Sequence, residues 1–145
     1  MEIQEALIRV QSAYPRIYLS CHTRHQNART TPDKISQRDG SILAHIDRPK
    51  SQRLLARHMG MAKSTLSEAL AGLEDMGYVI RIPKGRESLV HRTLQGTKVM
   101  SRGSVLESGR LRLLLANLTK QQREAAVAGL ELLAFAGERS GRIVA

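Results

Sequence analysis

The sequence has 145 residues, with 23 Lys and Arg against 13 Asp and Glu and a formal net charge of +10. This length fits one domain with its own core, and an apolar fraction of 41% is too high for a disordered chain. A single cysteine excludes an internal disulfide and favours a reducing cytoplasm. We expect no signal peptide and no membrane span, because the start is acidic and no apolar stretch approaches roughly 20 residues. The positive charge favours a polyanionic partner, either nucleic acid or an anionic membrane surface.

The first part of the chain predicts two helices separated by a loop. Apolar residues at helical spacing begin at Ile3 and continue to about His25. Pro15 is expected to kink this helix or to stand in the first turn of a second piece. Gln26–Asp33 is polar and predicts a loop, and Ile35–Ile46 predicts a short helix with its apolar residues inward.

The central part predicts two short helices that meet at a glycine turn. Ser51 is a good N-cap for a helix over Gln52–Met59, and Gly60 can end that helix in the left-handed conformation. A second helix is predicted over Lys63–Met76. Ala56 is small at the point where the two helices would cross. This pattern is typical of a helix-turn-helix.

The last part predicts a hairpin and then further helices. Tyr78–Ile82 and Ser88–Thr93 predict two strands, joined by a basic turn. Leu94–Asn117 predicts a long helical stretch, weakened by two glycines. Thr119–Gln122 is a capping-box pattern that opens a last helix, and the tail Gly137–Ala145 is expected to fray. A hairpin directly after a helix-turn-helix predicts a winged helix-turn-helix.

This order of elements resembles the MarR family of bacterial transcription regulators over nearly the whole chain. Arg86 occupies the position of the family's wing arginine, and Thr93-Leu94-Gln95-Gly96 matches the family's Thr-x-x-Gly, where the wing enters the long helix. Leu118-Thr119-Lys120-Gln121-Gln122 is similar to the family's start of the last helix.

Three positions depart from the family's pattern. Lys84 stands where the family usually has Asp, which adds positive charge to the wing tip. Arg92 replaces the Leu that commonly precedes the wing threonine. Ala62 stands at the cap of the recognition helix, where Ser or Asp is usual, so we expect another group to satisfy the first amides of that helix.

The resemblance implies a mainly α fold with a small β-hairpin wing, which is a winged helix-turn-helix with N- and C-terminal dimerisation helices. Residues 1–145 are then a single MarR-like domain. Within it, 34–93 form the DNA-binding lobe, and 1–30 and 94–137 form the helical dimerisation lobe. Two such chains form a homodimer on a pseudo-palindromic operator in double-stranded DNA.

The residues expected to contact DNA lie on the recognition helix, the wing tip and the flanking helix. An α-helix fits the major groove, where hydroxyls and a carboxylate can meet base edges, and a wing-tip arginine suits a narrow minor groove. Lys50 and Arg57 could also reach the DNA backbone. The candidate DNA-binding residues are Arg53, Lys63, Ser64, Thr65, Ser67, Glu68, Lys84 and Arg86.

The resulting hypothesis is a cytoplasmic DNA-binding transcription regulator, most often a repressor, which a small-molecule effector releases from its operator. The family places an effector pocket between the lobes, and Tyr14, Tyr18 and Cys21 are its candidates here, with the Ile35–Ile46 helix. Two alternatives stay open. One is a DNA-binding architectural or adaptor module without an effector, and the other is a peroxide-sensing regulator that acts through Cys21.

Other chemistry has weak support in the sequence. Lys63-Ser64-Thr65 resembles the end of a phosphate-binding loop, but the glycines that this loop needs at positions 57 and 62 are missing. Cys21, His22 and His25 suggest zinc, but the first two point about 100° apart on a helix. No enzyme motif is present. We therefore expect no catalytic activity, cofactor, metal or membrane partner.

Overall fold

The computed structural model describes residues 1–22 and 35–139 and has seven helices and three strands within them. The predicted loop over 26–33 and the last residues, 140–145, lie outside these ranges. No described helix combines the length and apolar content that crossing a bilayer needs. The helices are α1 (Ile3–Cys21), α2 (Gln37–His45), α3 (Gln52–Met59), α4 (Lys63–Asp75), α5 (Leu94–Arg102), α6 (Ser108–Ala116) and α7 (Lys120–Arg139), and the strands are β1 (Lys50–Ser51), β2 (Val79–Lys84) and β3 (Glu87–Arg92).

Local capping produces the predicted helix-turn-helix from α3 and α4. The Ser51 hydroxyl accepts a hydrogen bond from the amide of Leu54 at 3.1 Å, so α3 begins where the sequence predicts. Gly60 ends α3 at a φ of 61°, a conformation that glycine adopts without a steric penalty. Ala56 is 4% exposed, in keeping with a small side chain at the helix crossing.

The hydrophobic core lies in the middle of the chain, among α2, α3, α4, the sheet and α5. Both helices of the helix-turn-helix contribute to this core, since Leu55 of α3 and Leu66 of α4 are completely buried. The remaining large buried side chains are Ile42, Leu43, Ile46, Leu70, Leu73, Val79, Val90 and Val99. Each of these side chains stabilises the lobe by about 1.5–3 kcal/mol relative to an exposed position. The inner face of α4 packs against this core.

A three-stranded antiparallel sheet in the order β1-β3-β2 forms the wing. The basic turn that the two predicted strands leave between them, Pro83–Glu87, is too long, because β2 and β3 stay paired as far as Lys84 and Glu87. Gly85 has a φ of 63°, which allows a two-residue turn. The sequence also missed β1, since two residues are too short to show alternation.

Thr93 and Gly96 fix the point at which the chain leaves the wing. The Thr93 hydroxyl accepts from the amide of Gly96 at 3.0 Å and donates to the carbonyl of Gly77 at 2.7 Å. A Cβ atom on Gly96 would overlap the carbonyl oxygen of Tyr78. The Thr-x-x-Gly motif therefore joins the start of α5 to the turn after α4.

The predicted long helix over Leu94–Asn117 is wrong, because the chain breaks between α5 and α6. The Glu107 carboxylate caps α6 by accepting from the amides of Gly109 and Arg110, at 2.8 and 2.9 Å. These bonds hold the pKa of Glu107 below its usual range. The Glu107 amide donates to the carbonyl of Cys21 at 2.7 Å. The break therefore ties α6 to the end of α1.

The two terminal helices are more continuous than the sequence suggests. Helix α1 runs unbroken through Pro15. The predicted capping box is confirmed, since the Thr119 hydroxyl accepts from the Gln122 amide at 3.1 Å and the Gln122 side chain accepts from the Thr119 amide at 2.9 Å. The prediction that the chain frays from Gly137 is wrong, because α7 continues through Gly137 to Arg139.

Candidate nucleic-acid interface

Helix α4 presents one face to the core and the opposite face to solvent. Leu66, Ala69, Leu70 and Leu73 are buried at helical spacing. Four of the candidate DNA-binding residues are exposed on the other face, at the beginning of the helix. They are Lys63, Ser64, Thr65 and Glu68. The structure therefore brings these four together on one accessible surface.

The first turn of α4 has no side-chain cap. Ala62 is the N-cap residue, in extended conformation, and its methyl side chain cannot accept a hydrogen bond from the first amides. We expected another group to satisfy the first amides, but no side chain caps them in the described part of the chain. The positive end of the helix dipole thus remains available to an anion beside Lys63. A DNA phosphate has the charge and the acceptor atoms for this position.

Ser67 is the exception among the α4 candidates, because it is half-buried against β2. Nη1 of Arg81 donates to its hydroxyl at 3.3 Å and to its carbonyl at 3.4 Å. Arg81 also binds Glu74, through Nη2 at 3.3 Å and through its backbone amide at 3.1 Å. These hydrogen bonds hold the pKa of Glu74 below its usual range.

Arg81 is a residue of this interface that sequence reasoning missed. It faces Glu74 across the turn at Gly77, which has a φ of 80°. The spacing of Glu74 and Arg81, seven positions apart, does not predict a contact between them. The two side chains meet only because β2 folds back on α4. The pair joins the wing to the recognition helix.

The wing tip is an exposed basic turn. Lys84 ends β2, and Arg86 follows Gly85 in the two-residue turn. All three residues are exposed. The short turn places the two cations at the outer end of the hairpin, where neither forms an ion pair with another described residue.

The flanking basic residues divide into exposed and buried groups. Arg53 and Arg57 are exposed on α3. Lys50 is not available to DNA, contrary to expectation, because its side chain is only 8% exposed. Its ammonium donates to the carbonyl of His45 at 2.6 Å and pairs with Asp47 at 2.9 Å.

Comparisons with known proteins agree with this geometry. The model of the IclR helix-turn-helix domain matches residues 41–83, from α2 into β2. Similar solved structures include the transcriptional regulator Tm0710 from Thermotoga maritima, with 20% identity, a TM-score of 0.53 and coverage of 94% of this chain and 96% of that one. The transcriptional regulator BldR from Sulfolobus solfataricus has 22% identity, a TM-score of 0.50 and coverage of 92% and 97%. A MarR transcriptional regulator from Methanosarcina mazei Go1 has 22% identity, a TM-score of 0.49 and coverage of 94% and 90%. The comparison with curated proteins gave no significant match.

The chain has the winged helix-turn-helix fold of these transcriptional regulators.

The predicted winged helix-turn-helix fold class is therefore confirmed. The likeness extends over nearly the whole chain, so it includes the terminal helices as well as the lobe around α4. Arg92, which departs from the family pattern, has a structural role. Its guanidinium donates to the carbonyl of Leu43 at 2.9 Å and to the hydroxyl of Thr97 at 3.0 Å, so it connects the end of the wing to α2 and α5.

The candidate effector residues share one face of α1 but differ in exposure. The rings of Tyr14 and Tyr18 stack with centroids 6.5 Å apart and are 61% and 40% exposed. Cys21 is completely buried. A buried thiol is poorly placed for fast reaction with peroxide. Within residues 1–22 and 35–139, no group of three or more His, Cys, Asp or Glu side chains could hold a metal ion.

Proposed function

We propose that the protein is a homodimeric, sequence-specific DNA-binding transcription regulator that acts in the cytoplasm as a ligand-responsive repressor. The single observation that carries this proposal is the exposed first turn of α4, which has no side-chain cap. The opposite face of α4 packs on the hydrophobic core, and the basic wing lies beside the helix. An α-helix presented in this way fits the major groove, where every base pair has a distinct pattern of donors and acceptors.

Each part of the interface has a separate role in this proposal. Lys63 and the open amides of α4 bind phosphate and set the position of the helix. Ser64, Thr65 and Glu68 meet base edges, and Glu68 can accept a bond from a cytosine amino group. Lys84 and Arg86 enter the adjacent minor groove. Arg53 reaches the DNA backbone from α3.

The terminal helices support a homodimer. Val127, Leu130 and Leu133 recur at helical spacing on α7 and are 42%, 53% and 55% exposed in the single chain. On α1, Leu7 and Val10 are 46% and 44% exposed. Apolar faces of this kind require a covering partner, and a second copy supplies it. Two recognition helices then contact half-sites about one helical turn apart, ~34 Å.

One experiment tests the DNA proposal directly. The full chain is used to select bound sequences from a random DNA pool, and the enriched site is then footprinted. We expect a pseudo-palindrome whose two halves are protected about one helical turn apart. Equal binding to unrelated duplexes would instead establish an architectural or adaptor module.

The homodimer needs its own measurement. Sedimentation of the full chain gives its mass in solution, and we expect Leu130→Glu to convert dimer to monomer by placing a charge in the apolar face. Gln121→Glu adds the same charge at a polar position of α7 and should leave the dimer intact. A monomeric wild-type chain would contradict the proposal.

A further inference from the structure

A cavity of about 420 Å³ lies where the C-terminal end of α7 meets the helix-turn-helix lobe. This volume is within the range of small-molecule sites, which run from roughly 300 to 1,000 Å³ and occur preferentially between structural units. The cavity is distinct from Tyr14, Tyr18 and Cys21. Its lining residues are Ala44 and His45 of α2, His58 of α3, and Ala134, Gly137 and Glu138 of α7.

The ammonium group of Lys50, beside this cavity, already has partners within the protein. Lys50 has a buried side chain, and its ammonium group donates to the His45 carbonyl at 2.6 Å and pairs with Asp47 at 2.9 Å. Its third neighbour is Oε2 of Glu138, at 3.7 Å. Two of the three N–H donors of Lys50 are therefore engaged, and its side chain is only 8% exposed, so Lys50 has little capacity left for a ligand.

The acceptor groups beside the cavity are under-used. The side chain of Glu138 is 18% exposed, and its Oε2 lies 3.7 Å from both Lys50 Nζ and His58 Nδ1. Charge-assisted hydrogen bonds are shorter, at about 2.7–2.9 Å. His58 is 10% exposed, and its buried Nδ1 has no hydrogen-bond partner in the described structure. Buried polar groups are normally hydrogen-bonded, so this wall can accept a donor-rich ligand.

We propose that this cavity binds a small organic cation whose ammonium or amidinium N–H groups donate to Glu138. An anionic ligand would meet the Glu138 carboxylate, while Lys50, which could attract it, is buried and already paired with Asp47. A purely apolar ligand would leave the carboxylate without donors at additional desolvation cost. A cation supplies both charge and donors, and its apolar body packs on Ala44, Ala134 and Gly137.

The site couples the terminal helix to the DNA-reading lobe. Glu138 belongs to α7, whereas Lys50 and His58 lie on β1 and α3, at the two ends of the first helix of the helix-turn-helix. A cation that binds Glu138 weakens the attraction of Glu138 to Lys50, which loosens the contact between α7 and the lobe. Resting on the function proposed above, the site is then an effector site that changes the separation of the two recognition helices.

Calorimetric titration of the full chain with three matched probes tests the site without DNA. Benzylamine, benzyl alcohol and benzoate share an aromatic body and differ in charge. We expect benzylamine to bind at least tenfold more tightly than benzyl alcohol, and benzoate to bind most weakly. Glu138→Gln should weaken benzylamine binding about ten- to a hundredfold, as expected for one charge-assisted hydrogen bond.

Two further variants distinguish binding in this cavity from nonspecific attraction of the amine to acidic side chains. Glu131→Gln makes the same chemical change two turns earlier on α7, at an exposed position, and should bind benzylamine like the wild type. Ala134→Leu fills the cavity without touching the charges and should abolish binding. Equal binding of amine and alcohol, or equal losses in the Glu138 and Glu131 variants, would overturn the proposal.

A second titration separates the site from the proposed regulation. Benzylamine should lower the affinity of the wild type for its selected DNA site and leave that of Glu138→Gln unchanged. Absence of specific DNA binding, with Glu138-dependent amine binding intact, would refute the proposed function alone. Specific DNA binding with no amine binding would refute this inference alone.

Discussion

The Nη1 atom of Arg81 lies 3.3 Å from the hydroxyl oxygen of Ser67, and this contact joins the wing strand β2 to the recognition helix α4. Arg81 extends the connection to Glu74, which lies two turns further along the same face of α4. Because side-chain hydrogen bonds join β2 to α4, we expect the wing and the recognition helix to approach DNA as one unit. The Ser67 hydroxyl, which the sequence assigned to base recognition, is already engaged in this connection.

Replacing Arg81 by Met should destabilise the lobe. The substitution removes the guanidinium bonds to Ser67 and Glu74 but keeps an apolar stem of similar length. We expect the free energy of unfolding to fall by about 1–2 kcal/mol, measured by urea denaturation. Arg86→Met is the matched control at the exposed wing tip, and a loss as large in that variant would show that the Arg81 bonds are energetically neutral.

Glu74→Gln should make the stability less dependent on pH. Hydrogen bonds from Arg81 lower the pKa of Glu74 in the folded state, so its carboxylate contributes stability above the unfolded pKa near 4.5. This contribution is lost as the pH falls below 4.5 and through the folded pKa. The difference between wild type and variant should therefore be largest near pH 7 and shrink in acid, in thermal melts. The same comparison in an Arg81→Met background should show a smaller shrinkage, because only the backbone amide of residue 81 still donates to Glu74.

Arg86→Ala should weaken DNA binding without changing its sequence preference. A wing-tip arginine that neutralises one phosphate contributes about one counterion, so the slope of log affinity against log salt should flatten by about 1. Fluorescence anisotropy over a series of salt concentrations measures this slope. Arg123→Ala, at an exposed arginine of α7, is the control and should leave the slope unchanged.

Glu68→Ala should act in the opposite manner and change the preferred sequence more than the total affinity. Its carboxylate is exposed on the outer face of α4, where it can accept from one base. Selection from a random DNA pool should show relaxed preference at a single position in each half-site. An unchanged preference would mean that α4 lies in the groove in a different orientation.

Gly96→Ala should destabilise the fold, whereas Gly129→Ala should not. A Cβ at position 96 would overlap the Tyr78 carbonyl oxygen, and such overpacking costs about 1–3 kcal/mol. A Cβ at position 129 meets nothing within 4 Å, so the same change in α7 should add about 0.5–1 kcal/mol through helix propensity. Thermal unfolding of both variants checks the pair, and equal melting temperatures would contradict the close contact at Gly96.

Much of the fold could be predicted from local patterns. Ser51 and Gly60 delimit α3, and Thr119 and Gln122 open α7, because capping bonds join residues that are at most a few positions apart. The buried stripe of α4 follows from helical periodicity, so the opposite face, with Lys63, was predictable as the exposed one. The wing hairpin followed from its β-branched residues and turn glycine.

The rest depends on residues that are distant in sequence. The break before α6 depends on Glu107 meeting the end of α1, and the burial of Lys50 depends on acceptors from α2 and, 88 positions later, Glu138. Ser67 looks like a free surface hydroxyl until β2 folds back and brings Arg81 to it. The sequence by itself determined both ends of α3, the start of α7 and the apolar face of α4, because those features are settled within one or two turns. Only the tertiary structure decided which polar groups remain free for a ligand, because that depends on which distant partners the packed chain brings to them.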